Sequence, residues 1–239
     1  MKIRIKFRKW GVMKFIGHLD MMRYFQKAIR RADIDIRYSE GYSPHQIMSF
    51  ASPLGVGLTS DSEYFDIEVN TTRSSQEAVF ALNAVMVDGV EVVSYKKLPD
   101  NAKTAMSLVS AADYRLRYKE GYESPYSTKE WKEILAREFY DRPDFIITKK
   151  TKKSEREVDL KPLVYSFFVE ETDDKPEFFL QVSMGSVDNI KPELVLASLY
   201  KRMDIPYDSN AIQIHRVEVY TREESGLFVP LDALGEEIK

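Results

Sequence analysis

The sequence predicts an α+β protein built from two packed ferredoxin-like halves, each running β-α-β-β-α-β. Three observations carry this reading. Short segments alternate apolar and polar residues, amphipathic stretches of helical period lie between them, and the same order starts again after a connector. The N-terminal half is placed at 1–97, the connector at 98–112, the C-terminal half at 113–220 and a loosely held tail at 221–239.

In chain order, residues 3–8 put Ile3, Ile5 and Phe7 on one face of a strand and Arg4, Lys6 and Arg8 on the other. Residues 18–31 change to helical period, with Leu19, Met22, Phe25 or Gln26, and Ile29 on one stripe and Arg23, Lys27, Arg30 and Arg31 on another. From Ile34 to Phe50 the chain reads strand, loop, strand, broken by Gly41 and Pro44. Residues 63–69 alternate again, 74–87 suit a helix capped by Ser74 or Ser75, and 90–97 close the first half as a strand.

The second half repeats the pattern. A strand at 113–119 leads into a helix at 127–140, with Trp131, Leu135 and Phe139 at four-residue spacing. A strand at 144–150 and a basic turn follow, then strand-like residues around Val164–Val169 and Phe178–Met184. A helix at 191–202 carries Pro192 near its start, where proline is tolerated, and 212–220 forms the last strand.

Composition excludes several chemistries. There is no cysteine among 239 residues, which removes disulfides, a thiolate nucleophile, Cys-based zinc sites and Cys-ligated iron–sulfur clusters. The start lacks the apolar core of a signal peptide, and no apolar run is long enough to span a membrane. No membrane association is expected, and the cytoplasm is the expected location. No cofactor is required by any motif.

Charge is unevenly spread. Residues 1–50 hold eleven Lys/Arg against four Asp/Glu, a formal +7, while the whole chain is −3, so the rest sums to −10. A dipole of this size speaks about partners rather than folding. Arg4, Lys6 and Arg8 along one strand face, with Trp10 just beyond, suit a phosphate backbone and unstacked bases; an outward face charged simply because it is solvated is the plain alternative. The segment Tyr38-Ser39-Glu40-Gly41-Tyr42-Ser43-Pro44-His45 combines aromatic and polar groups around two backbone-special residues. It reads either as a stacking platform or as a connection packed on the core edge. Gly55 and Gly57 allow close approach of backbone N–H groups to an anion, yet the spacing matches neither a Walker loop nor a dinucleotide fingerprint.

His18 and Asp20 stand two apart at a helix start and do not share a face, so they chelate poorly; His18 suits a hydrogen-bonding or acid/base role better. The helix dipole accounts for Asp20, and His215 reads as structural. Lys149, Lys150, Lys152, Lys153 and Arg156 form a second basic cluster at a hairpin tip.

Gly17-His18-Leu19-Asp20, Tyr38-Ser39-Glu40-Gly41-Tyr42, Ser49-Phe50, Pro53-Leu54 with Gly57, and Glu63-Tyr64 together resemble the radical-SAM-linked domain of unknown function, the DUF2344 family. Later echoes are Ala112-Asp113-Tyr114, Val158-Asp159-Leu160-Lys161-Pro162 and Lys191-Pro192-Glu193. The loop departs from the family's usual Asn-Pro with Ser43-Pro44, and Gln46 stands where a second proline is common. The resemblance implies a domain fused to, or encoded beside, a radical SAM protein. A chain without cysteine cannot ligate that cluster, so it implies a stand-alone form with the enzyme as a separate polypeptide.

Three functions follow as expectations. The first is a non-catalytic module presenting RNA or another polyanion to that enzyme, with Arg4, Lys6, Arg8, Arg23, Lys27 and Arg30 on phosphates and Trp10, Tyr42 and His45 on bases. The second is a metal-independent endonuclease using His18 or His45, with Lys6 or Arg23 stabilising the phosphate charge. The third is a protein-interaction scaffold with no nucleic-acid affinity.

Overall fold

The computed structural model describes residues 1–150, 155–185 and 188–239, with the side chains of 149, 150, 155 and 156 excluded. It is a mixed α+β protein with mostly antiparallel strand pairing, dividing into two compact units. The first comprises Met1–Ser110 with Arg216–Lys239, and the second Ala111–His215.

In the first unit, β1 (Lys2–Lys9) alternates as its sequence requires, and α1 (His18–Arg31) buries Met21, Phe25, Ala28 and Ile29. β2 (Met48–Phe50) and β3 (Thr59–Glu68) follow, then α2 (Ser75–Asn83) and β4 (Val90–Lys97). β1 pairs antiparallel with β3 on one side and β4 on the other, and β2 pairs with β3 at Phe65–Ile67. Since β1 already occupies one edge of β3 there, β2 lies on the other, and β10 follows β3 along the sheet, β4-β1-β3-β10. The helix-facing side of this sheet carries the core, where Phe7, Phe25, Phe50 and Phe65 pack as one ring cluster.

Ser74 caps α2 through a capping box: its side chain accepts from the Glu77 amide, and the Glu77 carboxylate returns to Ser74 N. The helix ends at Asn83, short of residue 87. The Asn83 side chain is drawn off to Val92, donating to its carbonyl and accepting from its amide. Residues 98–110 hold only one short helix, α3 (Ala105–Leu108).

The second unit contains β5 (Ala111–Tyr118), α4 (Thr128–Leu135), a hairpin of β6 (Ile146–Lys150) with β7 (Glu155–Asp159), β8 (Val164–Thr172), β9 (Lys175–Ser183) and α5 (Pro192–Arg202). β9 lies between β5 and β8, antiparallel to both. The helix expected at 127–140 runs as α4 and then widens into a π-helical turn over Ala136–Tyr140. Trp131 is its central core residue, wedged against Phe178 and Tyr200.

β10 (Ile212–Arg222) starts in the second unit, and its residues from Arg216 onward belong to the first. The segment after Thr221, expected to be loosely held, is tied down. β11 (Phe228–Pro230) pairs with β10, Lys97 and Glu236 exchange backbone hydrogen bonds, and Ser75 N donates to Ile238 O at 2.9 Å. Its apolar residues account for this, since Leu231 is wholly buried.

Candidate functional site

The cationic strand face of β1 is not a free surface. Arg4 is 0 % exposed: Nε donates to Asp66 Oδ1 at 2.8 Å and Nη2 to Oδ2 at 3.0 Å, a bidentate pair, and Nη1 donates to Leu231 O at 3.0 Å. Lys6 Nζ donates to Glu218 Oε2 at 2.6 Å. Glu218 also accepts from Ser62 and from Tyr64 Oη, and the latter reaches Asp232 Oδ1 at 3.1 Å. Burial and the Glu218 charge hold the Tyr64 hydroxyl far above its ordinary pKa, so it stays a donor. Arg4 and Lys6, expected on phosphates, are instead engaged by Asp66 and Glu218. The face opposite the helices is covered by Leu231 and the 98–110 segment, and its cations serve as internal counter-charges. Arg8 is half-exposed and shared between Asp61 at 3.6 Å and Glu91 at 3.2 Å.

Lys9 follows a different course. Plain alternation puts this side chain on the same face as Ile3, Ile5 and Phe7, and its Nζ donates to Ile16 O at 2.7 Å. Lys9, His18, Phe50, Leu54 and Glu63 line a cleft of about 10 Å³, room for roughly one water. The His18 ring stands edge-on to Phe50 at 5.2 Å. Arg216 binds Glu63 through Nε at 3.0 Å and through Nη2, and donates from Nη2 to Ser52 O at 2.8 Å. Desolvation depresses the Lys9 pKa from 10.5, with Glu63 opposing and Arg216 reinforcing the shift. The Gly17-His18, Ser49-Phe50, Pro53-Leu54 and Glu63 motifs meet here, in a packed cleft with little room for substrate. Gly57 donates its amide to Lys14 O at 2.8 Å, so that amide is committed to holding the Gly55–Gly57 turn rather than to an external anion.

The second cationic surface remains open. Arg23, Lys27 and Arg30 project from the exposed side of α1. Arg23 makes only a surface pair with Asp20, 3.2 Å apart, and among the described residues Lys27 and Arg30 have no acidic partner within salt-bridge distance. The Tyr38–Gln46 segment forms a narrow loop beside this helix. Tyr38 bridges Gln46, Ser39 N donates to His45 O at 2.8 Å, and Ser39 Oγ lies 2.9 Å from His45 Nδ1. Gln46 Nε2 donates to Gln26 O at 3.2 Å, tying the loop to α1 one residue before Lys27. Gly41 takes φ +108° to make the turn, beside the exposed Glu40, and leaves Tyr42 fully exposed. Trp10, partly exposed, stands at the far end of β1, its amide donating to Gly89 O at 2.9 Å.

The two histidines therefore sit in different settings, His18 in the packed cleft and His45 locked to Ser39 in the exposed loop. Among the described residues no group of three or more His, Cys, Asp or Glu could hold a metal ion. Of the second basic cluster, Lys152 and Lys153 lie outside the described residues, as do the side chains of Lys149, Lys150 and Arg156. Sequence reasoning missed Lys9, Glu63 and Arg216 as an ion cluster. Glu63-Tyr64 was visible as a motif, but nothing local pairs Glu63 with a residue 153 positions away.

What fold and surface define, among the described residues, is a mixed α+β protein with an open basic face on α1. The chain belongs to a bacterial family without an assigned function: the model described as "Uncharacterized protein conserved in bacteria (DUF2344)" matches residues 2–192. No curated protein matches the sequence. No helix among the described residues is long and apolar enough to cross a membrane.

Proposed function

We propose that this protein is a non-catalytic accessory module that binds RNA or another polyanion through α1 and the Tyr38–Gln46 loop, and presents it to a separate radical SAM enzyme in the cytoplasm. The observation that carries the reading is the pairing of Lys27 and Arg30, without acidic partners among the described residues, with a loop anchored to the same helix that displays Tyr42. Cations without counter-charges suit phosphates, and an exposed ring suits an unstacked base. The enzyme partner rests on the sequence resemblance. The pairing of β1 with β4 and β3, of β2 with β3, and the packing of α1 and α2 in one core support reading the first unit as a ferredoxin-like half. The element order β5-α4-β8-β9-α5-β10, with the β6–β7 hairpin inserted after α4, supports the same for the second.

A second surface favours a protein partner. Val12, Phe15, Leu19 and Val56 are each more than half exposed. Val12 and Phe15 lie three apart in the 3-10 turn Gly11–Phe15, on one side of it. Gly57 N bonds to Lys14 O, which sets Val56 beside this turn. Such an apolar patch, next to a basic face, gives the module one side for cargo and one for a partner.

The test is RNA binding across a salt series by wild type, Lys27→Glu with Arg30→Glu, and Tyr42→Ala. Wild-type affinity should fall linearly in log–log form, and the double reversal should flatten that slope by about 2, one for each lost phosphate contact. Tyr42→Ala should weaken single-strand binding by about 1–3 kcal/mol and leave the slope unchanged. Reversals that change nothing remove the reading, and cyclic-phosphate products formed in EDTA replace it with the nuclease.

A further inference from the structure

The second unit holds a cavity of about 450 Å³ within the size range of small-molecule sites, and the proposed RNA surface on α1 makes no use of it. Tyr118, Tyr122, Tyr200 and Tyr207 line it, Glu123 and Asp208 are its charged lining residues, and no Lys or Arg is among them. The tyrosines come from three places in the chain: the end of β5, the loop after it, and α5 with the loop that follows. The Tyr118 and Tyr200 hydroxyls bond to each other, which fixes both rings. The Tyr200 and Tyr207 rings meet edge-on at 5.2 Å.

Tyr207 differs from the others. Its hydroxyl oxygen is buried and has no hydrogen-bond partner among the described residues, an unfavourable state unless something else supplies the bond. Burial, with Glu193 and Asp208 contributing, pushes its pKa up to about 12, so at neutral pH it is an intact hydroxyl in a negative field. Glu123 is paired with Lys175 Nζ at 3.1 Å, but at a highly exposed position where such a pair is weak.

We propose that this cavity is a binding site for an organic ammonium ion, held against the tyrosine rings and within the field of Asp208 and Glu123. Electron-rich ring faces attract an alkylated cation, and the attraction strengthens where the ion is desolvated. The acids repel phosphates, which disfavours a nucleotide although four rings would otherwise suit a base. The Tyr207 hydroxyl provides an oxygen that can accept from an N–H or O–H of the guest.

The probe is choline chloride, titrated into full-length protein carrying Trp10→Phe. The remaining reporter, Trp131, donates Nε1–H to Ser124 Oγ at 2.9 Å and lies 5.3 Å from Tyr200, so it senses two lining residues. Saturable quenching is expected, with the neutral isostere 3,3-dimethylbutan-1-ol binding about tenfold or more weakly. Asp208→Asn keeps a side-chain oxygen to accept from Asn210 N, which Asp208 now does at 2.8 Å, and removes the charge. It should weaken choline about threefold to tenfold and leave the alcohol unchanged. Tyr207→Phe should weaken both guests without lowering the melting temperature. Equal affinity for the two guests, tighter binding of adenosine or uridine monophosphate, or no saturable signal from a folded protein each overturns the proposal.

Discussion

Arg4 offers a direct way to separate structural from ligand-binding cations. Arg4→Met keeps the length of the side-chain stem and deletes two charge-assisted bonds to Asp66, one to Leu231 O and a longer one to Lys103 O. Asp66 then retains the Ala105 amide at 2.7 Å but loses the cation it pairs with. Breaking one member of a buried ion pair costs about 3–5 kcal/mol, because the partner stays desolvated. In a chain of 239 residues each kcal/mol moves the melting temperature by roughly 2–4 °C, so a fall of about 6–20 °C is expected by scanning calorimetry. Adding Asp66→Asn removes the stranded charge, and the double variant should recover about 1 kcal/mol or more over Arg4→Met. RNA affinity of Arg4→Met, measured well below its melting point, should equal that of wild type. A variant that melts like wild type refutes the structural reasoning. One that folds yet loses RNA binding puts Arg4 back on the ligand surface.

Other perturbations probe separate parts of the molecule. A Cβ at Gly89, where φ is +92°, would stand 2.8 Å from both Met13 Cγ and Trp10 O, so Gly89→Ala should cost roughly 2–4 kcal/mol in urea unfolding. For Lys9, the depressed pKa means the native state releases its proton before the unfolded state does at 10.5. Stability therefore rises as pH climbs through that interval, and Lys9→Met should abolish this alkaline gain when the two unfolding series are subtracted. Ser74→Ala and Ser127→Ala each remove a capping-box oxygen and should cost about 1 kcal/mol, read by equilibrium unfolding; a loss below about 0.3 kcal/mol would show the boxes to be idle.

Where one periodicity dominated a segment, the sequence was sufficient. The helix at 18–31 has the expected bounds, but its buried stripe is Met21, Phe25, Ala28 and Ile29, and Leu19, expected on that stripe, is exposed. Alternation likewise marked β1 and β4. Alternation does not say what covers the second face, however. Arg4 and Lys6 look solvated until residues 98–110 and 216–239 are laid over them, and their partners lie 62 and 212 positions away. Lys9 continues the inward face of Ile3, Ile5 and Phe7, but nothing local to it shows that Glu63 and Arg216 will lie close by. The tail looked loose because its apolar residues are few and unperiodic, although Leu231 alone is enough to anchor a turn. The Tyr38–His45 loop was visible through its glycine, proline and ring content. The tyrosine cavity was not, because residues 118, 122, 200 and 207 share no spacing that a helix or strand would produce.

The division of the first unit between Met1–Ser110 and Arg216–Lys239 has a consequence for the nascent chain. When the first 110 residues have left the ribosome, Glu63 still lacks Arg216, Lys6 lacks Glu218, and Arg4 lacks the Leu231 carbonyl. Three charged side chains that end up nearly out of water have to wait while the whole intervening unit is translated. Closing so long a loop is entropically modest, but it is late. The opening segment is thus kept from maturing on its own. A ribosome that stalls within residues 111–215 releases a product with unmatched charges inside, the kind of fragment that proteolysis removes readily.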